Sequence, residues 1–175
     1  MVDPGPSRSL GFTLVESLAV LVIVSILFAT AIPAIRSVDE SRAAVASEKL
    51  VDDLRFAQQR AIATGVTHWV VFDKRDDNWV LLAEDPENPE RANVSTLIDA
   101  TTGHPFIQQL DAGNFKGVRI VSAGFNPGSE VGFDPNGKPL NRNETGLPSV
   151  GTVTLSGNHQ IQVTPETGAV SYVAP

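Results

Sequence analysis

Residues 9–33 read SLGFTLVESLAVLVIVSILFATAIP, and this stretch decides the fold. A short polar leader ends at Gly11, and an apolar stretch begins at Phe12 with one carboxylate, Glu16, near its start. At about 1.5 Å per helical residue, residues 12–35 can cross roughly 30 Å of hydrocarbon. An ionised carboxylate inside a bilayer costs about 2.5–3.5 kcal/mol, so we expect Glu16 to have a function and a partner.

Two ordinary interpretations of this stretch leave part of it unexplained. An ordinary signal peptide would use residues 18–28 as its apolar region and the small residues 29–31 as its cleavage site. That interpretation requires basic charge before the apolar region, but Arg8 is the only basic residue of the leader and Glu16 stands where a Lys is expected. A plain signal anchor fits the length of the stretch and leaves Glu16 without a role.

The third interpretation is a prepilin, because GFTLVE at residues 11–16 resembles the processing site of type IV pilins and type II secretion pseudopilins. The resemblance implies that a prepilin peptidase and methyltransferase removes residues 1–11 by cutting between Gly11 and Phe12, and then N-methylates Phe12. It also implies that Glu16 pairs with the Phe12 amine of a neighbouring subunit. A buried pair of opposite charges fixes the axial register of stacked helices. The alternative for Glu16 is that its side chain merely reaches the membrane interface.

Composition excludes several other classes of function. The chain has 175 residues, a net charge of −7 and no cysteine, and its three histidines are scattered. An acidic chain without basic runs is not expected to bind nucleic acid. No nucleophile motif, P-loop or metal-ligand spacing occurs, so we expect no enzyme activity, no cofactor and no metal site. Residues 134–144 could suggest a calcium loop, but their spacing departs from the EF-hand pattern and favours a tight turn followed by a polar loop.

The helix is predicted to continue beyond the apolar stretch through residues 36–65. Small or apolar residues recur along this segment, at Val38, Val45, Leu50, Leu54, Ala57 and Ala61. From Leu50 onward their steps of 4, 3 and 4 predict one face toward a core. Gly65 supplies a C-terminal stop. Pro33 removes a backbone hydrogen bond and is expected to bend or loosen the helix.

Residues 66–175 read as short strands separated by turns. Residues 66–72 and 79–83 predict a hairpin, and residues 131–133 and 138–140 predict a second one. Residues 118–122 and three closing segments, 151–155, 160–164 and 170–173, predict further strands. Residues 94–114 are ambiguous, with a possible strand at 105–109. The fold class is therefore α+β, with a long N-terminal transmembrane helix packed on an antiparallel β-domain.

Three later segments resemble the GspH/FimT group of minor pseudopilins and minor pilins. They are LRFAQQRAIATGVTHWVVFD at 54–73, VGFDPNGKPL at 131–140 and VTLSGNHQIQVTPETGAVSY at 153–172. The resemblance implies a pilin-like fold and a structural subunit in the bacterial inner membrane, with its β-domain in the periplasm. Its implied partners are other pilin or pseudopilin subunits, the peptidase, an inner-membrane assembly platform and secreted cargo. A type II minor pseudopilin, a minor type IV pilin in pilus biogenesis or DNA uptake, and a membrane-anchored periplasmic binding domain remain open alternatives.

Overall fold

The fold comes from a computed structural model that describes the backbone of residues 13–175 and the side chains of residues 13–27 and 38–175. The predicted cleavage site, Gly11 and Phe12, lies outside the described residues. The chain divides into two compact units, Met1–Val38 and Asp39–Pro175. The first unit contributes the beginning of a helix, and the second contains the remainder of that helix and all the strands.

One helix, α1, runs over Leu14–Thr64. Its predicted end is confirmed: Gly65 adopts a left-handed φ of 72° and donates its N–H to the carbonyl of Ala61 at 3.0 Å. A residue without Cβ adopts this conformation at little cost, which is why glycine commonly follows the last helical turn.

The described residues contain ten strands, which form two antiparallel sheets. The strands are β1 His68–Asp73, β2 Asn78–Glu84, β3 Val94–Thr96, β4 Ile107–Gln109, β5 Ile120–Gly124, β6 Glu130–Phe133, β7 Pro139–Leu140, β8 Gly151–Leu155, β9 His159–Val163 and β10 Val170–Val173. The six-stranded sheet has the order β3-β2-β1-β6-β7, with β4 also paired to β2. The four-stranded sheet has the order β10-β9-β8-β5. The α+β class and both predicted hairpins, β1–β2 and β6–β7, are confirmed.

The structure differs from the sequence prediction around the middle strands. The ambiguous segment contains two strands, β3 and β4, which pair with opposite ends of β2. Val118 was expected in a strand, but its N–H donates to the carbonyl of Phe115 in a turn at 2.9 Å. The strand begins instead at Ile120, whose N–H donates to the Asp77 carboxylate at 2.9 Å. Turn hydrogen bonds therefore displace β5 along the chain.

The core of the second unit lies against one face of α1. The predicted positions from Leu50 onward are confirmed, because Leu50, Leu54, Ala57 and Ala61 are all fully buried. Val38 and Val45, the apolar positions that precede this run, are about half exposed. The buried face instead continues toward the N-terminus through small residues, Ala43 and Ala46. Val45 is five residues before Leu50, which places it about 140° around the helix from that face.

Candidate assembly surface

The first unit presents an apolar helix whose side chains are uncovered. Every described side chain from residue 13 to residue 27 is exposed. Leu14 is 83% exposed and Leu21 is 66% exposed. Monomeric soluble proteins rarely expose so much contiguous apolar surface, so a surface of this kind marks a site of contact with protein or lipid. Among the helices of the described residues, none is both long enough and apolar enough to cross a membrane.

Glu16 lies in the first turn of α1, where its backbone takes part in the helix cap. Thr13 precedes the helix, and its Oγ1 accepts a hydrogen bond from the Glu16 N–H at 3.3 Å. This is half of the reciprocal Thr-x-x-Glu capping arrangement. The carboxylate is exposed and forms no ion pair with another described residue. The partial positive charge of the helix N-terminus favours a carboxylate at this position.

The other predicted site residues lie apart from Glu16. Pro33 is part of α1, and its side chain is outside the described set. At about 1.5 Å per residue, Pro33 is roughly 25 Å along the helix from Glu16. The two residues therefore do not form one site within a subunit. The helix runs through position 33, and a bend there stays a prediction.

In the second unit, two hairpin turns meet on one helix residue, Gln58. Its Nε2 donates to the carbonyl of Gly137 at 2.8 Å and to the carbonyl of Thr167 at 3.0 Å. Gly137 lies in the β6–β7 turn, and Gly168 lies in the β9–β10 turn. A Cβ added to Gly168 would lie 2.6 Å from the Gly137 carbonyl oxygen. Gly168 is therefore required by the contact between these two turns and α1, which we call the Gln58 junction.

A buried carboxylate on α1 also contacts the six-stranded sheet. Asp53 is 3% exposed, and the Trp79 indole N–H donates to its Oδ2 at 2.9 Å. Lys49, one helical turn earlier, pairs with its Oδ1. Burial raises the pKa of Asp53, against the opposing effects of Lys49 and Trp79. Asp53 was not predicted as a buried residue, because two adjacent aspartates in a helix are typical of a solvent-exposed face.

Arg91 holds the acidic loop at residues 85–93 against the six-stranded sheet. Its guanidinium lies 5.0 Å from the ring centre of Trp69 and donates to Glu130 Oε2 at 2.6 Å. The Trp69 indole N–H donates to Glu84 Oε1 at 2.8 Å. The cation therefore sits between an aromatic face and a buried carboxylate, an arrangement that suits the planar guanidinium. This contact was also missed from the sequence.

The segment that could have suggested a calcium loop is a hydrogen-bonded turn. Asp134 Oδ1 accepts the N–H groups of Asn136 and Lys138, both at 2.8 Å. Asn141 Oδ1 accepts the N–H of Asn143 at 2.9 Å. Within the part of the chain that the structure describes, no three His, Asp or Glu side chains are grouped to hold a metal ion.

Comparison with known families gives two matches. The family described as type II transport protein GspH matches residues 46–169, and the prokaryotic N-terminal methylation motif matches residues 6–32. No curated protein matches the chain.

Solved structures with a similar fold include two of the minor pseudopilin EpsH from the type II secretion system of Vibrio cholerae. One is 13% identical, covers 77% of this chain and 98% of its own, and has a TM-score of 0.53. The other is 11% identical, covers 78% and 96%, and has a TM-score of 0.55. The type IV minor pilin FimU of Pseudomonas aeruginosa is 12% identical, covers 76% and 89%, and has a TM-score of 0.49. At such identities, the likeness to EpsH shows a shared fold.

Proposed function

The chain belongs to the GspH family of type II transport proteins, and we propose that it is the precursor of a minor pseudopilin at the tip of a type II secretion pseudopilus. A minor pseudopilin or minor pilin is a structural subunit that is anchored in a membrane and assembles with other pilin-type subunits. The observation that carries the proposal is the order of two family matches along one chain, with the methylation motif before the GspH domain.

Maturation is the first step of the proposed mechanism. A prepilin peptidase on the cytoplasmic side cuts between Gly11 and Phe12, removes residues 1–11 and N-methylates the new terminus. The methylation motif at residues 6–32 supports this step. In the sequence, the new terminus at Phe12 stands four residues before Glu16.

Assembly through the apolar helix is the second step. The Phe12 amine of one subunit pairs with Glu16 of its neighbour, which sets the axial register as the helices stack. The exposed Glu16 carboxylate and the exposed apolar side chains of residues 14–27 support this step. Pro33 allows the helix to bend between residues 12–35, which form the transmembrane and assembly segment, and residues 36–65. In a low dielectric, a charge pair offsets the loss of hydration only when its geometry is good, so misaligned subunits are penalised.

Topology and partners follow from the same proposal. The subunit crosses the inner membrane once, with the leader in the cytoplasm and the β-domain, residues 66–175, in the periplasm. The inner-membrane platform of the secretion system extracts it, and its β-domain meets neighbouring subunits or secreted cargo. It acts by assembly and not by catalysis, without a cofactor. The net charge of −7 argues against nucleic acid as a partner.

The mass of the mature protein tests the maturation step. In a host with a prepilin peptidase, we expect the chain to lose residues 1–11 and to gain one methyl group. A Gly11→Gln variant is the matched control, because a bulky residue before the cut should block cleavage. An intact wild-type chain in the membrane would contradict maturation and favour a plain anchor.

Deletion of the gene in its host tests the choice of a secretion system. We expect extracellular enzymes to accumulate inside the cells while surface pili persist. Loss of pili with normal secretion would instead identify a minor pilin. Complementation with the wild-type chain, and with the Gly11→Gln variant as the uncleaved control, assigns the defect to this subunit.

A further inference from the structure

The last strand, β10, is an open sheet edge. Among the described strands only β9 pairs with it. Its sequence, VSYV, contains none of the lysines or prolines that commonly protect an edge from pairing with another chain. The opposite edge of the same sheet, β5, has a shift in register between Ile120 and Ser122. The edge strand β7 of the other sheet begins at Pro139. β10 therefore lacks these protections, as do the three-residue edge strands β3 and β4, which pair only with β2.

The backbone of β10 offers hydrogen-bonding groups on its open side. Arg55 on α1 donates to the carbonyl of Val170 at 3.1 Å, so this carbonyl points away from β9. In an antiparallel pair, the backbone groups of alternate residues point to the same side. The N–H and C=O of Tyr172 therefore face the open side as well. The Tyr172 hydroxyl is hydrogen-bonded to Nδ1 of the buried His159, which holds the side chain in place.

An acidic groove lies beside this edge. It has a volume of about 350 Å³ and is lined by Glu48, Val51, Asp52, Arg55 and Tyr172. Glu48 and Asp52 are exposed and one helical turn apart, and neither forms an ion pair with another described residue. Like charges at this spacing destabilise a helix by a few tenths of a kcal/mol. Burial, together with the charges of Glu48 and Glu40, raises the pKa of Tyr172. The groove therefore carries negative charge. The basic side chain in its lining, Arg55, is hydrogen-bonded to the Val170 carbonyl.

We propose that this edge and groove bind an extended, Lys- or Arg-bearing segment of another protein as an added β-strand. The segment hydrogen-bonds the open backbone groups of Tyr172, and its basic side chains meet Glu48 and Asp52. Main-chain bonds supply affinity in this mode of recognition, and the side-chain groove supplies specificity. The segment comes from a neighbouring subunit. This choice of source is the only part of the proposal that rests on the proposed function.

A second copy of this chain is a poor occupant of the same edge. Antiparallel pairing of two β10 strands would bring two acidic grooves together. Each copy also carries a net charge of −7, which opposes association at moderate salt. Charge complementarity therefore selects a basic segment from a different protein.

Binding of synthetic peptides to the full chain in detergent micelles tests the proposal. The probe is a short peptide that alternates Lys with Val and Thr, and its counterpart has Glu in place of Lys. We expect the Lys peptide to bind at least about tenfold more tightly than the Glu peptide, as two surface ion pairs allow. We also expect the Lys peptide to slow hydrogen exchange at the Tyr172 amide.

A matched pair of double variants distinguishes binding at the groove from nonspecific attraction of the Lys peptide to an acidic protein. The double substitution Glu48→Gln with Asp52→Asn should weaken binding of the Lys peptide about tenfold. Glu87→Gln with Glu90→Gln removes the same charge from an exposed loop and should leave binding nearly unchanged. Equal loss in both variants, no binding, or an unprotected Tyr172 amide would overturn the proposal. Self-association through β10 in sedimentation equilibrium would overturn the choice of occupant. The mature mass is a separate readout, so failure here leaves the maturation proposal standing.

Discussion

Glu16 has a local role at the helix start and a proposed intermolecular role, and a substitution can separate them. Gln also completes the capping arrangement with Thr13 but carries no charge. We expect Glu16→Gln to be cleaved and methylated normally, yet to enter filaments poorly, because the Phe12 amine of the neighbour loses its partner. Quantitative blotting of sheared filaments against the membrane pool measures this. Normal incorporation of the Gln variant would refute the charge pairing.

Asp53 predicts a pH dependence of stability. Burial raises its pKa above the ordinary value of 3.8, so the native state binds a proton more readily than the unfolded chain does. The stabilisation from that proton is complete below pH 3.8 and is lost as pH rises through the native pKa. Asp53→Asn keeps an acceptor for Trp79 and cannot titrate. We therefore expect its free energy of unfolding to increase relative to wild type as pH rises.

Urea denaturation between about pH 4 and 7 measures this difference. Asp52→Asn is the matched control, because Asp52 is adjacent in sequence and exposed. The Asp52 charge is the smallest of the causes that raise the pKa of Asp53, so the control should keep most of the pH dependence of wild type. A curve for Asp53→Asn that is also parallel to wild type would contradict the raised pKa.

At this scale, the sequence predicts residues whose environment is local. Gly65 and the buried positions from Leu50 onward follow from helix periodicity and from the chemistry of a helix stop. Asp53 could not be found in this way, since its partner Trp79 is 26 residues away. Arg91 and Glu130 are 39 residues apart, and their contact depends on the loop at residues 85–93 folding over strand β6.

The Gln58 junction makes a prediction about two turns and a helix. Gly168 has φ 66°, and an added Cβ would lie 2.6 Å from both the Gly137 carbonyl oxygen and Gln58 Nε2. We expect Gly168→Ala to lower the free energy of unfolding by about 2–5 kcal/mol, because left-handed strain costs about 1–2 and overpacking about 1–3. Urea denaturation of the full chain in micelles measures it.

Gly103→Ala is the matched control for this substitution. Gly103 has a similar φ of 70°, but an added Cβ would meet nothing within 4 Å. It should therefore cost only the left-handed strain, about 1–2 kcal/mol. Equal losses of unfolding free energy in the two variants would mean that the junction tolerates the extra atom. Glycine would then be needed at 168 only for the left-handed backbone conformation of the turn.

Strands joined by short turns were the most predictable elements. The β1–β2 and β6–β7 hairpins have both their strands and their turns within a single stretch of sequence. β3 and β4 have three residues each, and both depend on pairing with β2. Three residues carry too little periodicity to be recognised, so their assignment needs the partner strand. β5 was displaced for a similar reason, because turn bonds to Phe115 and Asp77 set where it begins.

For the whole molecule, the sequence predicts the α+β class but not the division of its strands into two sheets. β1 pairs with β6, which follows four intervening strands, while β5 joins β8 in the other sheet. These choices depend on how both sheets pack with α1 in one hydrophobic core, and the periodicity within a single strand does not predict that packing. The GspH match at residues 46–169 lies within the second unit, so family resemblance and core packing concern the same part of the chain.

The division into two units predicts that residues 39–175 fold without the apolar helix. The buried hydrophobic residues of the described chain run from Ala43 to Val170, all inside this unit. Asp39 and Glu40 would lie at the new helix start, where negative charge is favourable. We expect the fragment to be soluble and to unfold cooperatively, with a midpoint within a few degrees of the full chain in micelles.

A fragment that begins at residue 48 is the matched control for this prediction. It lacks the apolar helix as well, but it also loses the buried Ala43, Ala46 and Ser47. Each buried methyl or methylene group contributes about 0.8 kcal/mol, and the shortened helix also loses a turn of backbone hydrogen bonds. We therefore expect this fragment to be several kcal/mol less stable, as measured by thermal circular dichroism. If residues 39–175 instead unfold as readily as the control, the core needs more of α1 than its buried face indicates.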